Sequence, residues 1–225
     1  MSGAEHAFAL LLAAGLAVAA AAESPRFEPP LPGSYELPPI TRVAEHRLLD
    51  EQGRDTALLG LAPGEVALVS FVYLACPDAC PAASAVLARL DAELAERPAL
   101  GRRTQLVTVS FDPAHDTPER MAALRRALAP RARWRFLTAA SEAAIEPLLS
   151  DFGQDANPSH VLKIFLVDAE GQVRNIYSTG FLDVRLLLSD LSTLLAAAPA
   201  RGPSDRPAAE NPSADGSEGP AAASR

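Results

Sequence analysis

Cys76 and Cys80 are the only two cysteines in the sequence, and three residues separate them. They lie in Tyr73-Leu74-Ala75-Cys76-Pro77-Asp78-Ala79-Cys80-Pro81, between a continuous apolar run and a stretch with helical spacing. A helix that begins at the pair offers free N–H groups and a partial positive charge, which lower a thiol's pKa and favour thiolate. Residues four apart on a helix share one face, with Cβ atoms about 5–6 Å apart. Two thiolates so placed can chelate one metal ion or, with a small adjustment, close a disulfide. A spacing of two residues marks disulfide oxidoreductases; three is a looser chelate, better suited to a metal that takes both sulfurs. Soft thiolates favour Cu(I), and an added imidazole lets such a site hold Cu(II) as well. A structural zinc site would want four protein ligands, more than two cysteines supply. The remaining reading is a purely structural disulfide, whose very short loop would restrict the unfolded chain little.

The elements that must position this pair are legible in the apolar pattern. Val66 to Leu74 is apolar enough to be a strand buried on both faces. Val86, Leu87, Leu90 and Leu94 then follow helical spacing. Gln105 to Phe111 reads as a second buried strand. Asp116-Thr117-Pro118-Glu119 starts a helix, with Thr117 or Asp116 as cap and Pro118 at or near the first helical position. Trp134 to Leu137 is a short strand, and Ser141 caps a helix ending near Phe152-Gly153. Val161 to Val167 and Gln172 to Tyr177 form a hairpin around the turn Asp168 to Gly171. Val184, Leu187, Leu188, Leu191, Leu194 and Leu195 mark a final amphipathic helix. An earlier strand runs through Ala44 to Leu49 into a turn at Asp50–Gly53. Strands alternating with helices predict a parallel core, and the closing hairpin makes the sheet mixed. The expected fold class is α/β, in the element order of the thioredoxin fold: a central mixed sheet flanked by helices.

The rest of the chain bounds the setting. Residues 1–24 read as a signal peptide or an N-terminal anchor: Phe8 to Ala22 is apolar, and Ala20-Ala21-Ala22-Glu23-Ser24 resembles a cleavage site. The stretch ahead of it carries Glu5 and His6 but no Lys or Arg, unlike an ordinary export signal. No cysteine follows the apolar run, which argues against a lipid-modified cysteine. Residues 25–39 form a Pro-dense segment that reads as an extended spacer, residues 40–198 form the domain, and 199–225 read as a disordered tail. The net charge of −8 opposes nucleic acid as a partner, since phosphate binding needs a basic face.

Three motifs in order give the chain a resemblance to a known family. Cys76-Pro77-Asp78-Ala79-Cys80-Pro81 after Phe71-Val72-Tyr73 resembles the copper motif of the SCO/SenC family. Val109-Ser110-Phe111-Asp112-Pro113-Ala114-His115-Asp116-Thr117-Pro118-Glu119 resembles its second signature. His160, ahead of an apolar strand and an Asp168-to-Gly171 turn, resembles its distal histidine. The resemblance implies one copper ion, Cu(I) or Cu(II), bound by Cys76, Cys80 and His160. It also implies an exported protein, periplasmic or anchored facing the periplasm, that helps assemble the copper centre of cytochrome c oxidase or a related redox enzyme. The partner would be the copper-receiving oxidase subunit or another periplasmic redox protein, the membrane would be met only through the N-terminal segment, and the protein would be a monomer. The alternative is a thiol–disulfide oxidoreductase in which Cys76 attacks and Cys80 resolves. The chain departs from the resemblance between Phe152 and His160, where family members usually carry a longer insert. Of the other candidates, His115 reads as a solvated loop histidine and His46 as a strand-surface residue. Asp112 and Asp116 read as turn and cap residues, with a place beside the metal as the alternative for Asp112.

Overall fold

A computed structural model describes residues 27–75, 79–154 and 163–197, without the side chains of residues 79–82. The 1–24 segment, the 199–225 tail, Cys76 and His160 lie outside the described residues. The strands are β1 (Thr41–Arg42), β2 (Arg47–Leu49), β3 (Asp55–Ala57), β4 (Val66–Val72), β5 (Thr104–Ser110), β6 (Trp134–Leu137), β7 (Lys163–Asp168) and β8 (Gln172–Ser178). The helices are α1 (Ala79–Ala95), the single turn α2 (Pro98–Gly101), α3 (Pro118–Leu128), α4 (Glu142–Asp151) and α5 (Val184–Ala197), with a 3₁₀ turn at Thr179–Phe181. Six strands form one sheet in the order β1-β8-β7-β4-β5-β6, while β2 and β3 make a separate two-stranded ribbon. β4, β5 and β6 are parallel, and β7, β8 and β1 are antiparallel to their neighbours. This is the expected thioredoxin-like α/β architecture with a mixed sheet.

β4 and β5 are buried at every position; β4 accordingly reads as an apolar run broken only by Ser70, whereas β5 buries Thr104, Gln105, Thr108 and Ser110 among its apolar residues. Their side chains still divide by the period of two. Ala67, Val69 and Phe71 join Val107, Val109 and Phe165 on the face covered by Ile145, Leu148 and Leu149 of α4. Val66, Leu68 and Leu106 join Ile164 and Leu166 on the other face, under Leu87, Leu90 and Leu94 of α1 and Leu187 and Leu191 of α5. Each such side chain contributes about 1.5–3 kcal/mol on full burial.

Three elements had no counterpart in the apolar pattern. β1 has two exposed residues and β3 is exposed to half-buried, so neither carries an alternation to detect. α2 is a single turn begun by Pro98. The Pro-dense segment is fastened along α5. The Gly33 N–H donates to Thr193 Oγ1 at 2.9 Å, the Ser189 hydroxyl donates to the Pro30 carbonyl at 2.6 Å, and the Tyr35 hydroxyl donates to Asp190 Oδ1 at 2.5 Å. Arg174 holds the Leu37 carbonyl at 3.0 Å. Ser189, Asp190 and Thr193 are thereby buried although they lie off the helix's apolar stripe. Among the described residues, no helix is long and apolar enough to cross a membrane.

Candidate metal centre

β4 lies between β5 and β7, parallel to the first and antiparallel to the second. The carboxyl ends of β4 and β5 and the amino end of β7 therefore share one edge of the sheet. The chain leaves that edge at Tyr73 after β4, crosses it through 111–117 between β5 and α3, and re-enters the sheet there at Lys163. Strand carboxyl ends are where sites form in parallel α/β sheets, because the loops there diverge and leave a crevice.

Cys80 is the second residue of α1, so its backbone occupies the first helical turn. That turn contains no acidic residue, leaving the helix's partial positive charge unopposed from within it. Cys76 follows the end of β4 by four positions, and His160 precedes the start of β7 by three. Among the described residues, no group of three or more His, Cys, Asp or Glu side chains could hold a metal ion.

The frame around this edge is tightly tied. The Phe111 N–H donates to the Val72 carbonyl at 3.0 Å, continuing the β4–β5 pairing past the strand ends. The rings of Tyr73 and Phe111 pack with centroids 5.2 Å apart. Phe71 of β4, Phe165 of β7 and Phe152, which closes α4, form a cluster of edge-on rings 4.8–6.1 Å apart. Such aromatic pairs add about 0.5–1.5 kcal/mol beyond their buried area. They fix the point from which the chain departs toward His160.

The second signature is where the structure adds most to the sequence reading. The N-cap of α3 is Thr117, whose side chain makes no capping bond. Asp116 is not the cap. Its side chain turns inward, is 0% exposed, and accepts two hydrogen bonds on Oδ2. One comes from the Leu74 N–H at 2.9 Å and the other from the Ser110 hydroxyl at 2.7 Å. Its backbone N–H donates to the Asp112 carbonyl at 2.8 Å. The sequence signal for this role was the Ser110–Asp116 pair flanking a tight loop, which reads equally well as a turn. Asp112 instead pairs with His115, Oδ1 to Nδ1 at 2.8 Å, and His115 is exposed, as a loop histidine should be. Its proton affinity is raised by the hydrogen bond to the Asp112 carboxylate and by that group's charge. His46 precedes β2 rather than lying on it, with Nε2 2.8 Å from Asp151 Oδ2.

This fold and these ordered motifs define a class of thioredoxin-like α/β proteins. The chain belongs to the SCO1/SenC family, whose sequence pattern matches residues 39–196. Among solved structures it is similar to BsSco, described as a member of the Sco family of cytochrome c oxidase assembly proteins with a disulfide switch. The two share 22% identity and a TM-score of 0.60, over 72% of this chain and 98% of the other. It is also similar to a SCO1/SenC family lipoprotein from Bacillus anthracis, at 23% identity and a TM-score of 0.61, covering 71% and 99%. Yeast Sco1, solved with copper bound, aligns at 19% identity and a TM-score of 0.59, covering 73% and 97%. No curated protein sequence matches.

Proposed function

We propose that this protein binds one copper ion through Cys76, Cys80 and His160 and serves, outside the cytoplasm, in assembling the copper centre of a cytochrome c oxidase or a related respiratory enzyme. The donor set fits the metal: two soft thiolates suit Cu(I), and an imidazole extends the site to Cu(II). The observation that carries the reading is the strand order. β4 and β7 are adjacent and antiparallel, and a residue three or four positions beyond a strand end lies within about 10–14 Å of it. In this reading Cys76 and His160 come from neighbouring strand ends of one sheet edge and Cys80 from the first turn of α1. The copper bound by yeast Sco1 and the oxidase-assembly family of BsSco support the same chemistry and client.

In this reading copper is cargo, and the receiving partner is a copper-accepting oxidase subunit or another periplasmic redox protein. Residues 1–24 act as the export signal or anchor, and the lipoprotein relative supports a membrane-facing location. The disulfide switch of BsSco favours a second reading, that the pair works as a thiol reductant. Cys76 would attack a client disulfide, Cys80 would displace the client thiol from the mixed disulfide, and two electrons would pass to the client as Cys76 and Cys80 become oxidised.

Titration of the reduced protein with Cu(I) and Cu(II), beside His160→Ala and Cys80→Ser, separates the two. One equivalent of copper in the wild type, lost or weakened at least tenfold in both variants, is expected of the carrier. Absence of copper binding, together with reductase turnover that survives His160→Ala, would overturn it in favour of the reductant.

A further inference from the structure

Asp116 presents an energetic puzzle. Its carboxyl group is wholly buried, and its Oδ1 has no hydrogen-bond partner. The nearest cation, Arg120 Nη1, stands 3.4 Å from Oδ1 but donates instead to the His115 carbonyl at 3.0 Å. Oδ1 thus has an ion-pair partner but no hydrogen bond, and a buried ion pair of that kind contributes little net stability because desolvation offsets its attraction. What the carboxylate does achieve is geometric. Oδ2 bridges the end of β5, through the Ser110 hydroxyl, to the backbone N–H of Leu74, two residues before Cys76. Ser110 Oγ in turn accepts the Asp112 N–H at 3.1 Å, so the bridge is rooted in the loop that follows β5. Without this acceptor the Leu74 amide, past the last ladder bond of β4, would need another acceptor.

We infer that Asp116 is a positioning residue for the Cys76–Cys80 pair, acting through its hydrogen bond to the Leu74 N–H and through acceptor placement rather than charge. The inference rests on the proposed function for the copper part of its consequences, but the thiol–disulfide part stands without metal. By fixing the backbone where the chain leaves β4, the bond limits the range over which Cys76 approaches Cys80. That range governs both the geometry offered to a metal and the ease of closing a disulfide.

Three variants test this. Asp116→Asn keeps an oxygen acceptor of the same reach and removes the charge. Asp116→Glu keeps the charge and moves the acceptor by one methylene. Asp116→Ala removes both. The readouts are copper affinity by chelator competition, the Cu(II)–thiolate charge-transfer band, and the midpoint potential of the metal-free Cys76–Cys80 disulfide. Thermal unfolding reports which variants fold.

Asp116→Asn is expected to match the wild type in all three readouts. Asp116→Glu and Asp116→Ala are expected to lose about tenfold in copper affinity, with a displaced band. Their thiol–disulfide equilibrium is expected to change by about tenfold, which is about 30 mV for a two-electron couple. Folded Asp116→Glu or Asp116→Ala protein with wild-type band and potential would overturn the inference. So would a shift of about tenfold, or about 30 mV, in Asp116→Asn relative to the wild type, since that assigns the effect to charge; this outcome remains decisive if the other two variants do not fold. Should the wild type bind no copper, the proposed function fails while the metal-free potential still decides the role of Asp116.

Discussion

The imidazole of His115 and the carboxylate of Asp151 show how single residues of this protein couple to pH, with opposite signs. His115 is raised by its bond to Asp112. Any stabilisation from this pair is therefore present below the ordinary histidine range near about pH 6.5 and is lost as pH rises through the folded-state value. An NMR titration should place His115 above the ordinary range, and Asp112→Asn should return it there. Asp151 is lowered by its hydrogen bond from His46 and by the Ala44 N–H, which donates at 3.0 Å. Its contribution is present above about pH 4 and is lost as pH falls through the depressed folded-state value. Asp151 is partly exposed, so solvent screening limits the pair to about 1 kcal/mol or less. In urea unfolding, Asp151→Asn should be less stable than the wild type at pH 7, and the difference should shrink as the solution is acidified toward pH 3. At this scale the sequence was only partly legible. The cysteine spacing and the exposed character of His115 could be read directly. The inward turn of Asp116 could not, because a helix cap and a loop anchor place the same residue type at the same position.

Among the elements, the strap formed by the Pro-dense segment depends on one buried acid. Asp190 of α5 accepts from Tyr35, Tyr177 and Asn175, whose donors stand 2.5, 2.6 and 2.8 Å away. Burial first, and then the bond to Asp190, pushes both tyrosine hydroxyls upward in pKa, so both remain protonated donors. Asp190→Ala would remove the acceptor of three donors on other elements, Tyr35 on the strap and Asn175 and Tyr177 on β8, of which Tyr35 also contacts Ser189 Oγ at 3.1 Å. The expected loss is about 3 kcal/mol, read by thermal unfolding, with faster proteolytic nicking in 27–40. The turn between β7 and β8 is equally specific. Gly171 has φ +77°, and an added Cβ would stand 2.7 Å from the Val43 carbonyl oxygen. Gly171→Ala is therefore expected to destabilise by more than about 1 kcal/mol, because both the left-handed backbone and the close approach exclude a side chain. The β4, β5 and β6 strands and the β7–β8 hairpin were legible because burial on both faces, or strict bounding by turn residues, leaves a strong local signal. The docking of the strap was not. Its cause is a tertiary match between Pro30, Gly33 and Tyr35 and the polar side of α5, which looks like a solvated helix face when α5 is read alone.

For the molecule as a whole, the architecture brings one edge of the sheet under the control of three loops. The aromatic cluster of Phe71, Phe152 and Phe165 and the Asp116 bridge hold two of those loops at their origins. α5 covers one face of the sheet with the strap fastened along it, and the bonds of Asp190 reach the strap and β8 rather than the loops that follow β4 and β5. Asp190→Ala should accordingly lower the unfolding temperature while leaving the metal-free potential of the cysteine pair unchanged. The central claim, copper held by Cys76, Cys80 and His160, is tested most directly by copper K-edge X-ray absorption on Cu(II)-loaded wild-type protein and His160→Ala. Two sulfur scatterers and an imidazole contribution in the wild type, with the imidazole contribution missing from the variant, are the expected result. A copper environment without sulfur, or an imidazole contribution unchanged in His160→Ala, would contradict it.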